Sequence, residues 1–211
     1  MRVLILCEYS GTVRDAFKKL GHDAWSCDLL PTDKVGQHYQ GDVYHMLKQK
    51  WDLIIAHPPC TALCVAGNST YGEGQAKYAE RLASAQWTRD LWDACKRAAP
   101  YVCFENPVGV LTRLANMPKP NYVQPYQFGH TEQKKTGLIL HNLPPLIDTN
   151  NVYDAMMLLP RRERERMHYL PPSADRWKIR STTYQGIADA MAAQWSAFII
   201  ASKLSDLEAI L

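Results

Sequence analysis

An alternation of strand and helix patterns along the first half of the chain constrains the fold more than any other feature. Residues 2–7 form the nearly continuous apolar run RVLILC, which is typical of a strand that is covered on both faces. The next segment places Val13, Phe17 and Leu20 at i, i+4 and i+7, the spacing of one helix face. This alternation predicts an α/β fold with a mostly parallel sheet flanked by helices. Further strands are predicted at 23–29, 52–56, 100–105 and 137–141, and long helices at about 74–99 and from about 184 past 201.

Polar residues follow four of the predicted strands at the point where each strand ends. They are Glu8 to Gly11, Asp28, His57 to Cys60, and Glu105-Asn106. Ligands of α/β sheets bind beyond the carboxyl ends of the strands. We therefore expect these four segments to meet at one edge of the sheet and to form the functional site there.

The size of the chain supports one main domain with a small lobe. Its 211 residues are 46% hydrophobic and 21% charged, which is enough to bury a core and excludes a disordered chain. Residues 142–183 differ from the rest, because they hold five of the 13 prolines and the run RRERER. We expect residues 1–141 and 184–211 to form the main domain, and residues 142–183 to form a small basic, proline-rich lobe.

Cysteine usage indicates a cytoplasmic protein. The net charge of +3 neither demands nor excludes a polyanionic partner. No apolar run approaches the ~18 residues that cross a bilayer, so no membrane partner is expected. Four of the six cysteines lie inside apolar patterns, which favours buried, reduced thiols. These four are Cys7, Cys27, Cys95 and Cys103.

Cys60 is the first candidate for chemistry. It follows the Pro58-Pro59 pair directly after the predicted strand at 52–56, in the segment DLIIAHPPCTALC. The two prolines restrict the backbone and hold the loop stiff, which suits a nucleophile. A free thiol has a pKa of ~8.5 and needs help to attack at neutral pH. The alternative for any single cysteine is a small buried apolar residue.

Glu105 is the second candidate. It follows the apolar run VCF at the end of a predicted strand, within the segment FENP. Burial there would raise the pKa of the carboxyl group and make Glu105 a proton donor near pH 7. The alternative is a helix N-cap box in front of residues 107–115.

A third element is the corner that Glu8 to Gly11 form between a strand and a helix. A strand, a glycine turn and a helix start together can cradle a nucleotide. Asp28, at the end of the second strand, suits a ribose diol. Asp42 is placed to accept a hydrogen bond from an adenine amino group. Only Gly11 stands in this loop, and no GxGxxG motif is present.

Together these segments resemble the cytosine-5 methyltransferases, and in particular the very short members of bacteriophages. LILCEYSG resembles the first motif for S-adenosylmethionine, and Asp42-Val43 resembles the adenine-contacting motif. Pro59-Cys60 and Glu105-Asn106 match the nucleophile and Glu-Asn motifs, in the family's order. EQKKTGLIL resembles a Gln-x-Arg segment with Lys134 in the Arg position. Residues 184–191 resemble the closing motif beside the cofactor.

The resemblance implies a Rossmann-like methyltransferase fold and a covalent mechanism on cytosine in DNA, with the base flipped out of the duplex and no metal. Cys60 would attack carbon 6, Glu105 would donate to ring nitrogen 3, and Lys134 would stabilise charge at oxygen 2. The residues implied to contact S-adenosylmethionine are Glu8, Tyr9, Ser10, Gly11, Asp28, Leu29, Asp42, Val43, Pro58, Ala188 and Asp189. Those implied to contact substrate are His57, Pro59, Thr61, Asn106, Arg176 and Lys178.

Three other functions fit parts of the sequence. The small lobe favours the same chemistry on a free pyrimidine nucleotide such as deoxycytidine monophosphate, because little chain is left for reading DNA. A catalytically inactive relative would use the fold only to bind nucleic acid. A redox or metal protein would use Cys60 and Cys64, with His57 as a third ligand in H-x2-C-x3-C spacing.

Overall fold

The computed structural model describes residues 1–208, and across them seven strands form one sheet in the order β3-β2-β1-β4-β5-β7-β6. Strands β1 to β5 pair in parallel, whereas β7 is antiparallel to both of its neighbours, β5 and β6. The strands are β1 (Arg2–Leu6), β2 (Asp23–Asp28), β3 (His38–Gln40), β4 (Leu53–Ala56), β5 (Tyr101–Pro107), β6 (Asn121–Val123) and β7 (Thr136–His141).

Helices cover both faces of this sheet, so the predicted Rossmann-like α/β fold with a mostly parallel sheet is confirmed. In the helix after Gln185, residues Met191–Trp195 form a π-helical turn. The helices are α1 (Thr12–Lys19), α2 (Val43–Met46), α3 (Asn68–Tyr71), α4 (Tyr78–Ala98), α5 (Leu111–Leu114), α6 (Tyr153–Met157), α7 (Arg161–Arg164), α8 (Arg166–Tyr169), α9 (Arg176–Ser181), α10 (Gln185–Ala190) and α11 (Ser196–Glu208). Short 3-10 turns occur at Val65–Gly67 and Pro125–Gln127.

The core consists of two apolar layers, one on each face of the sheet. Leu4 and Leu6 of β1 pack in the layer that contains Trp92 of α4. Val3 and Ile5 pack in the opposite layer, which contains α1, α10 and the start of α11. Successive residues of a strand point to opposite faces, so β1 needs apolar residues throughout. This is the physical reason for the uninterrupted run RVLILC.

The sheet order places a crevice between the carboxyl ends of β1 and β4. The chain runs outward from β1 to β2 and β3 on one side, and from β4 to β5 on the other. Such a reversal opens a gap in which ligands bind. The β1–β3 half carries the expected cofactor residues, and the β4–β5–β7 half carries Cys60, Glu105 and Lys134.

Residues 142–183 contain the four short helices α6 to α9, which pack against the carboxyl edge of the sheet. Arg166 of α8 forms an ion pair with Glu132 at 3.0 Å. The backbone N–H of Gln133 donates to the carbonyl of Arg164 at 2.6 Å. These bonds hold the lobe next to the segment that leads into β7. Within residues 1–208 we find no helix with the length and apolar character needed to cross a membrane.

Candidate active site

The loop that follows β4 carries Cys60, and we call residues 57–67 the cysteine loop. Leu63 and Cys64 each donate a backbone N–H to the carbonyl of Cys60 at 2.9 Å, which closes a tight turn. Pro59 and Thr61 are exposed, whereas Pro58 is buried. Cys60 itself is partly exposed, so its thiol is reachable from the carboxyl edge of the sheet.

Arg81 of α4 holds this loop from beneath, and sequence reasoning missed it. Its side chain is 2% exposed and donates to the carbonyls of Ala62 at 2.6 Å and Cys64 at 3.2 Å. A third bond goes to the side-chain oxygen of Asn68 at 2.9 Å. The sequence does contain a sign of this role, because Arg81 precedes Ala85 by one helical turn and both lie on the buried face of α4.

The end of β5 holds the same loop from the side. Asn106 donates its amide to the carbonyl of Pro58 at 3.2 Å. Gly109 pairs with Cys64 in an isolated bridge, and a Cβ on Gly109 would strike the backbone carbonyl of Leu63. The loop therefore packs directly on the chain that follows Glu105. Asn106 thus supports the loop through its amide N–H, and its side-chain oxygen is buried without a partner among residues 1–208.

Glu105 pairs with His57 at the base of the cysteine loop. Nδ1 of His57 lies 2.9 Å from a carboxylate oxygen of Glu105, and the side chains are 10% and 14% exposed. Burial alone would raise the pKa of Glu105, but the hydrogen bond and charge of His57, together with Lys134, lower it below its ordinary value. The expected rise in the pKa of Glu105 is therefore wrong, because the sequence did not reveal this partner. The helix-capping alternative for Glu105 is not seen either.

The environment of Cys60 favours the protonated thiol. Burial raises the pKa of Cys60 above its ordinary value, and the negative charge of Glu105 and the neighbouring Cys64 add to that rise. Lys134 acts in the opposite direction. The electrostatic influence of Glu105 and Lys134 on Cys60 means that these three groups, expected from the sequence to work together, share one region.

Lys134 lines a small cavity together with Glu105, between β7 and the start of α10. The other residues around this cavity are Thr136, Thr183, Tyr184 and Ile187. The ammonium group donates to the carbonyl of Arg180 in the lobe at 2.8 Å and lies 5.8 Å from the ring of Tyr184. An ammonium group has three donors, so Lys134 keeps N–H groups for a substrate oxygen.

At the corner between β1 and α1, Glu8 occupies the N-terminus of the helix. Its carboxylate accepts from the backbone N–H groups of Val13 at 2.7 Å and Arg14 at 3.3 Å, and it is 5% exposed. Gly11 precedes α1 with a φ of 67°, a conformation that glycine adopts without strain. Because a carboxylate already sits on these N–H groups, the corner does not offer a phosphate cradle.

Asp28 and Asp42 lie at the ends of β2 and β3, on the expected side of the crevice. Asp28 accepts from the backbone N–H of Leu30 at 2.9 Å. Asp42 caps α2 by accepting from Tyr44 at 2.9 Å, and Val43 beside it is buried. Each aspartate thus uses one oxygen locally, and its second oxygen remains for a ligand. Leu29 is exposed.

The lobe closes over this corner through α9. Tyr9 is buried against Trp177, with ring centroids 5.5 Å apart, and its hydroxyl lies 3.2 Å from that of Ser181. Ser10 lies beside it and is buried. The ammonium of Lys178 lies 5.8 Å from both aromatic rings. Arg176, the other basic residue expected to contact substrate, lies on the same helix.

Two residues implied for the cofactor lie elsewhere. Ala188 has no exposed surface and packs in the core layer between α1 and the sheet. Asp189 is exposed and accepts from Gln185 of the same helix at 2.8 Å. Residues 184–191, which resemble the closing motif, thus pack in the core layer beside α1, because α10 turns its small apolar side chains toward the sheet.

The remaining cysteines fit a structural role. All six are free thiols, and Cys27, Cys95 and Cys103 are buried, as expected. Cys7 is only partly buried, yet burial, Asp28 and Cys27 raise its pKa to about 12. These thiols are therefore protonated at neutral pH and poor nucleophiles. In the part of the chain that the structure describes, no three His, Cys, Asp or Glu side chains are grouped to hold a metal.

The chain is similar to solved structures at low sequence identity. No protein-family model matches the chain, and no curated protein matches it. A solved structure described as a presumed DNA modification methyltransferase, encoded within an E. coli prophage, is 15% identical with a TM-score of 0.41. The match covers 75% of this chain and 55% of the other, so the chain spans about half the length of that protein.

Proposed function

We propose that the protein is a cytosine-5 methyltransferase that transfers a methyl group from S-adenosylmethionine to cytosine in DNA through a covalent intermediate on Cys60. The observation that carries this proposal is the joining of the cysteine loop to the end of β5. Asn106 bonds to Pro58 and Gly109 bridges to Cys64, so the Cys60 thiol and the Glu105 carboxylate belong to one rigid unit. A nucleophile and a proton-transferring group held together are what addition to a pyrimidine ring requires.

The charges at the cofactor corner suit S-adenosylmethionine better than a nucleotide diphosphate. Glu8 covers the helix N-terminus that would bind a phosphate, and Asp28 and Asp42 add further negative charge at the ends of β2 and β3. A ligand with a cationic sulfonium and amino group is favoured in such surroundings. When bound, it supplies an electrophilic methyl group. Asp28 would hold the ribose hydroxyls, and Asp42 the adenine amino group.

Carbon 5 of cytosine is a poor nucleophile, and the residues of the site would change that. Attack of the Cys60 thiolate on carbon 6 makes the ring enamine-like, so that carbon 5 can take the methyl group. Negative charge then develops toward nitrogen 3 and oxygen 2, where a proton passed through Glu105 and an N–H of Lys134 would stabilise it. Transfer of the carbon 5 proton to solvent then lets the carbon 6–sulfur bond break, which returns its electron pair to Cys60 and restores the double bond of the ring.

DNA is the proposed substrate because basic and aromatic side chains of the lobe lie beside the site. Trp177 is half exposed and lies next to Lys178 and Arg176, a combination that can stack on a base and contact phosphates. A base in a duplex would have to leave the stack, at a cost of a few kcal/mol. A free pyrimidine nucleotide is the second candidate, because the lobe of short helices offers little surface for reading a duplex.

A mechanism-based trap tests the proposal. DNA that contains 5-fluorocytosine should form a covalent adduct with the wild-type protein in the presence of S-adenosylmethionine, detected by its mass and mapped to Cys60. Cys60→Ser should abolish the adduct and methyl transfer while cofactor binding persists. Cys64→Ser is the matched control, since this thiol lies in the same loop and is also partly exposed. An adduct that survives in Cys60→Ser would refute the assignment of the nucleophile.

A second arm separates the two substrate classes. Duplex DNA, single-stranded DNA and deoxycytidine monophosphate are offered at equal cytosine concentration, with labelled S-adenosylmethionine. Methylation of DNA alone supports the first candidate, and methylation of the nucleotide alone supports the second. A protein that binds DNA but transfers no methyl group to any of the three would be the catalytically inactive relative.

A further inference from the structure

The pair formed by His57 and Glu105 creates a difficulty for the proposed reaction. The hydrogen bond of 2.9 Å joins Nδ1 of His57 to Oε2 of Glu105, and both side chains are almost fully buried. In such a pair the proton resides on the imidazole and the carboxylate is ionised. An ionised Glu105 has no proton to donate to nitrogen 3 of the base. The proton must therefore come from another group.

His57, like Asn106 beside the same loop, has a buried polar atom without a hydrogen-bond partner among residues 1–208. In His57 this atom is Nε2. A buried imidazole that serves only to cap a loop would be expected to satisfy both nitrogens. His57 begins the cysteine loop, and its backbone N–H donates to the carbonyl of Leu6 at 3.0 Å, which fixes the ring between β1 and β5.

We propose that His57 is a positioning residue that stores the proton for the reaction and supplies it to the base through Glu105. This role rests on the proposed cytosine-5 methyl transfer. The Cys60 thiol first loses its proton to solvent; as the resulting thiolate bonds to carbon 6, the Nδ1–H bond of His57 breaks and that proton passes to Glu105. Glu105 in turn passes a proton to nitrogen 3, which leaves a neutral imidazole and a carboxylate. The proton returns by the same route when nitrogen 3 is deprotonated.

The charged groups around His57 fit this role. Burial lowers the pKa of His57, but the hydrogen bond and charge of Glu105, aided by Glu8, outweigh burial and raise the pKa above 6.5. Lys134 opposes that rise. These groups come from β5, from the corner after β1 and from the segment before β7. These groups favour the protonated form of the imidazole, and the adjacent carboxylate lies at hydrogen-bond distance to accept its proton.

The test is the pH dependence of a rate ratio. Single-turnover methyl transfer is measured from pH 6 to 8 for the wild type and for His57→Gln, at saturating DNA and S-adenosylmethionine. In the variant only Glu105 can carry the proton, and a carboxyl group loses it at lower pH than the paired imidazole does. The ratio of wild-type to variant rate should therefore rise with pH, by up to about tenfold per pH unit, because one proton is involved. Because the charge of Glu105 also acts on Cys60, ionisation of this thiol is measured by alkylation for each protein, and each rate is divided by the ionised fraction.

Two further variants complete the design. His141→Gln is the matched control, because this histidine also ends a strand but lies at the opposite edge of the sheet, opposite Val102 at the start of β5. Its rate ratio should not change with pH. Glu105→Gln removes the group that passes the proton, so adding His57→Gln to it should cost less than twofold. Calorimetry of cofactor binding, on His57→Gln and on a second substitution, His57→Asn, checks that the loop is intact.

The outcomes separate this role from the proposed function. A ratio that stays constant within twofold across the pH range, in an active wild type, refutes the role of His57 and leaves the methyl transfer standing. Full additivity of His57→Gln and Glu105→Gln refutes it as well. A wild type that forms no adduct and transfers no methyl group refutes the proposed function, and the role of His57 with it.

Discussion

Replacing Arg81 by methionine tests whether the position of Cys60 depends on a buried cation outside the site. The guanidinium makes three hydrogen bonds to the cysteine loop and the residue after it, at 2.6, 2.9 and 3.2 Å. Methionine has a similar length and fills most of the space, but it donates to none of these acceptors. The carbonyls of Ala62 and Cys64 would then lose their bonds to a buried charged donor.

The expected cost follows from these bonds. Hydrogen bonds from a charged group contribute about 1.5–3 kcal/mol each. Removing the guanidinium also removes the cost of burying its charge, which is several kcal/mol. We therefore expect a net loss of about 2–4 kcal/mol in the free energy of unfolding, and a fall of roughly 5–15 °C in Tm for a chain of this size. A loop displaced by about 1 Å would slow adduct formation by about 100-fold.

Urea denaturation gives the stability, and adduct formation with 5-fluorocytosine DNA gives the rate. Arg97→Met is the matched control, because Arg97 lies on the same helix, is exposed, and should tolerate the change within about 0.5 kcal/mol. Arg81→Lys keeps the charge but replaces a planar fork with a point donor, so it should recover only part of the loss. An Arg81→Met protein with wild-type stability and a wild-type adduct rate would contradict the inference that Arg81 positions the cysteine loop.

Three further predictions follow from the same site. The Glu105 carboxylate is stabilised when ionised and the His57 imidazole when protonated, so the pair should stabilise the fold most between about pH 4.5 and 6.5, their ordinary pKa values. The stability difference between wild type and Glu105→Gln, from urea denaturation, should thus be largest there, at about 1–3 kcal/mol. It should shrink as the pH falls through the lowered pKa of Glu105 and as the pH rises through the raised pKa of His57. Gly109→Ala places a Cβ against the Leu63 carbonyl and should slow adduct formation by at least about tenfold. In Gly74→Ala the Cβ meets no atom within 4 Å, but the φ of 79° strains an alanine, so this control should lose some stability and keep the adduct rate of the wild type. Asp28→Ala should weaken S-adenosylmethionine binding by about tenfold in calorimetry while single-turnover rates at saturation stay within about threefold; an unchanged affinity would argue against its place at the ribose.

Much of the fold could be predicted from the sequence because its periodicity is strong. The run RVLILC and the helix face of Val13 and Phe17 describe elements whose burial is set by local pattern, and the structure confirms both. Leu20, the third residue predicted on that face, follows the last residue of α1 and is half exposed, so its place in the prediction is wrong. The strands β3 and β6 were not predicted, because each has three residues and is partly exposed. Short, half-exposed strands depend on their neighbours in the sheet more than on their own residues.

The site was predicted in outline and corrected in its electrostatics. That Cys60 and Glu105 would share one edge of the sheet followed from their position after β4 and within the end of β5, since parallel strands bring their carboxyl ends together. The direction of the pKa shift of Glu105 could not be predicted from the sequence, because a pKa depends on the groups nearby and His57 is 48 residues away along the chain. Arg81 was missed for the same reason.

The sequence by itself determined the class of fold, the two halves of the site and the residue types available for chemistry. Only the tertiary structure decided which of those side chains touch: that His57 neutralises Glu105, that Glu8 closes the N-terminus of α1, and that Ala188 lies in the core. The physical reason is the separation along the chain of the residues on which each property depends. Periodicity and strand ends are properties of a few consecutive residues, whereas hydrogen bonds, burial and charge act between atoms that the fold brings within a few ångströms.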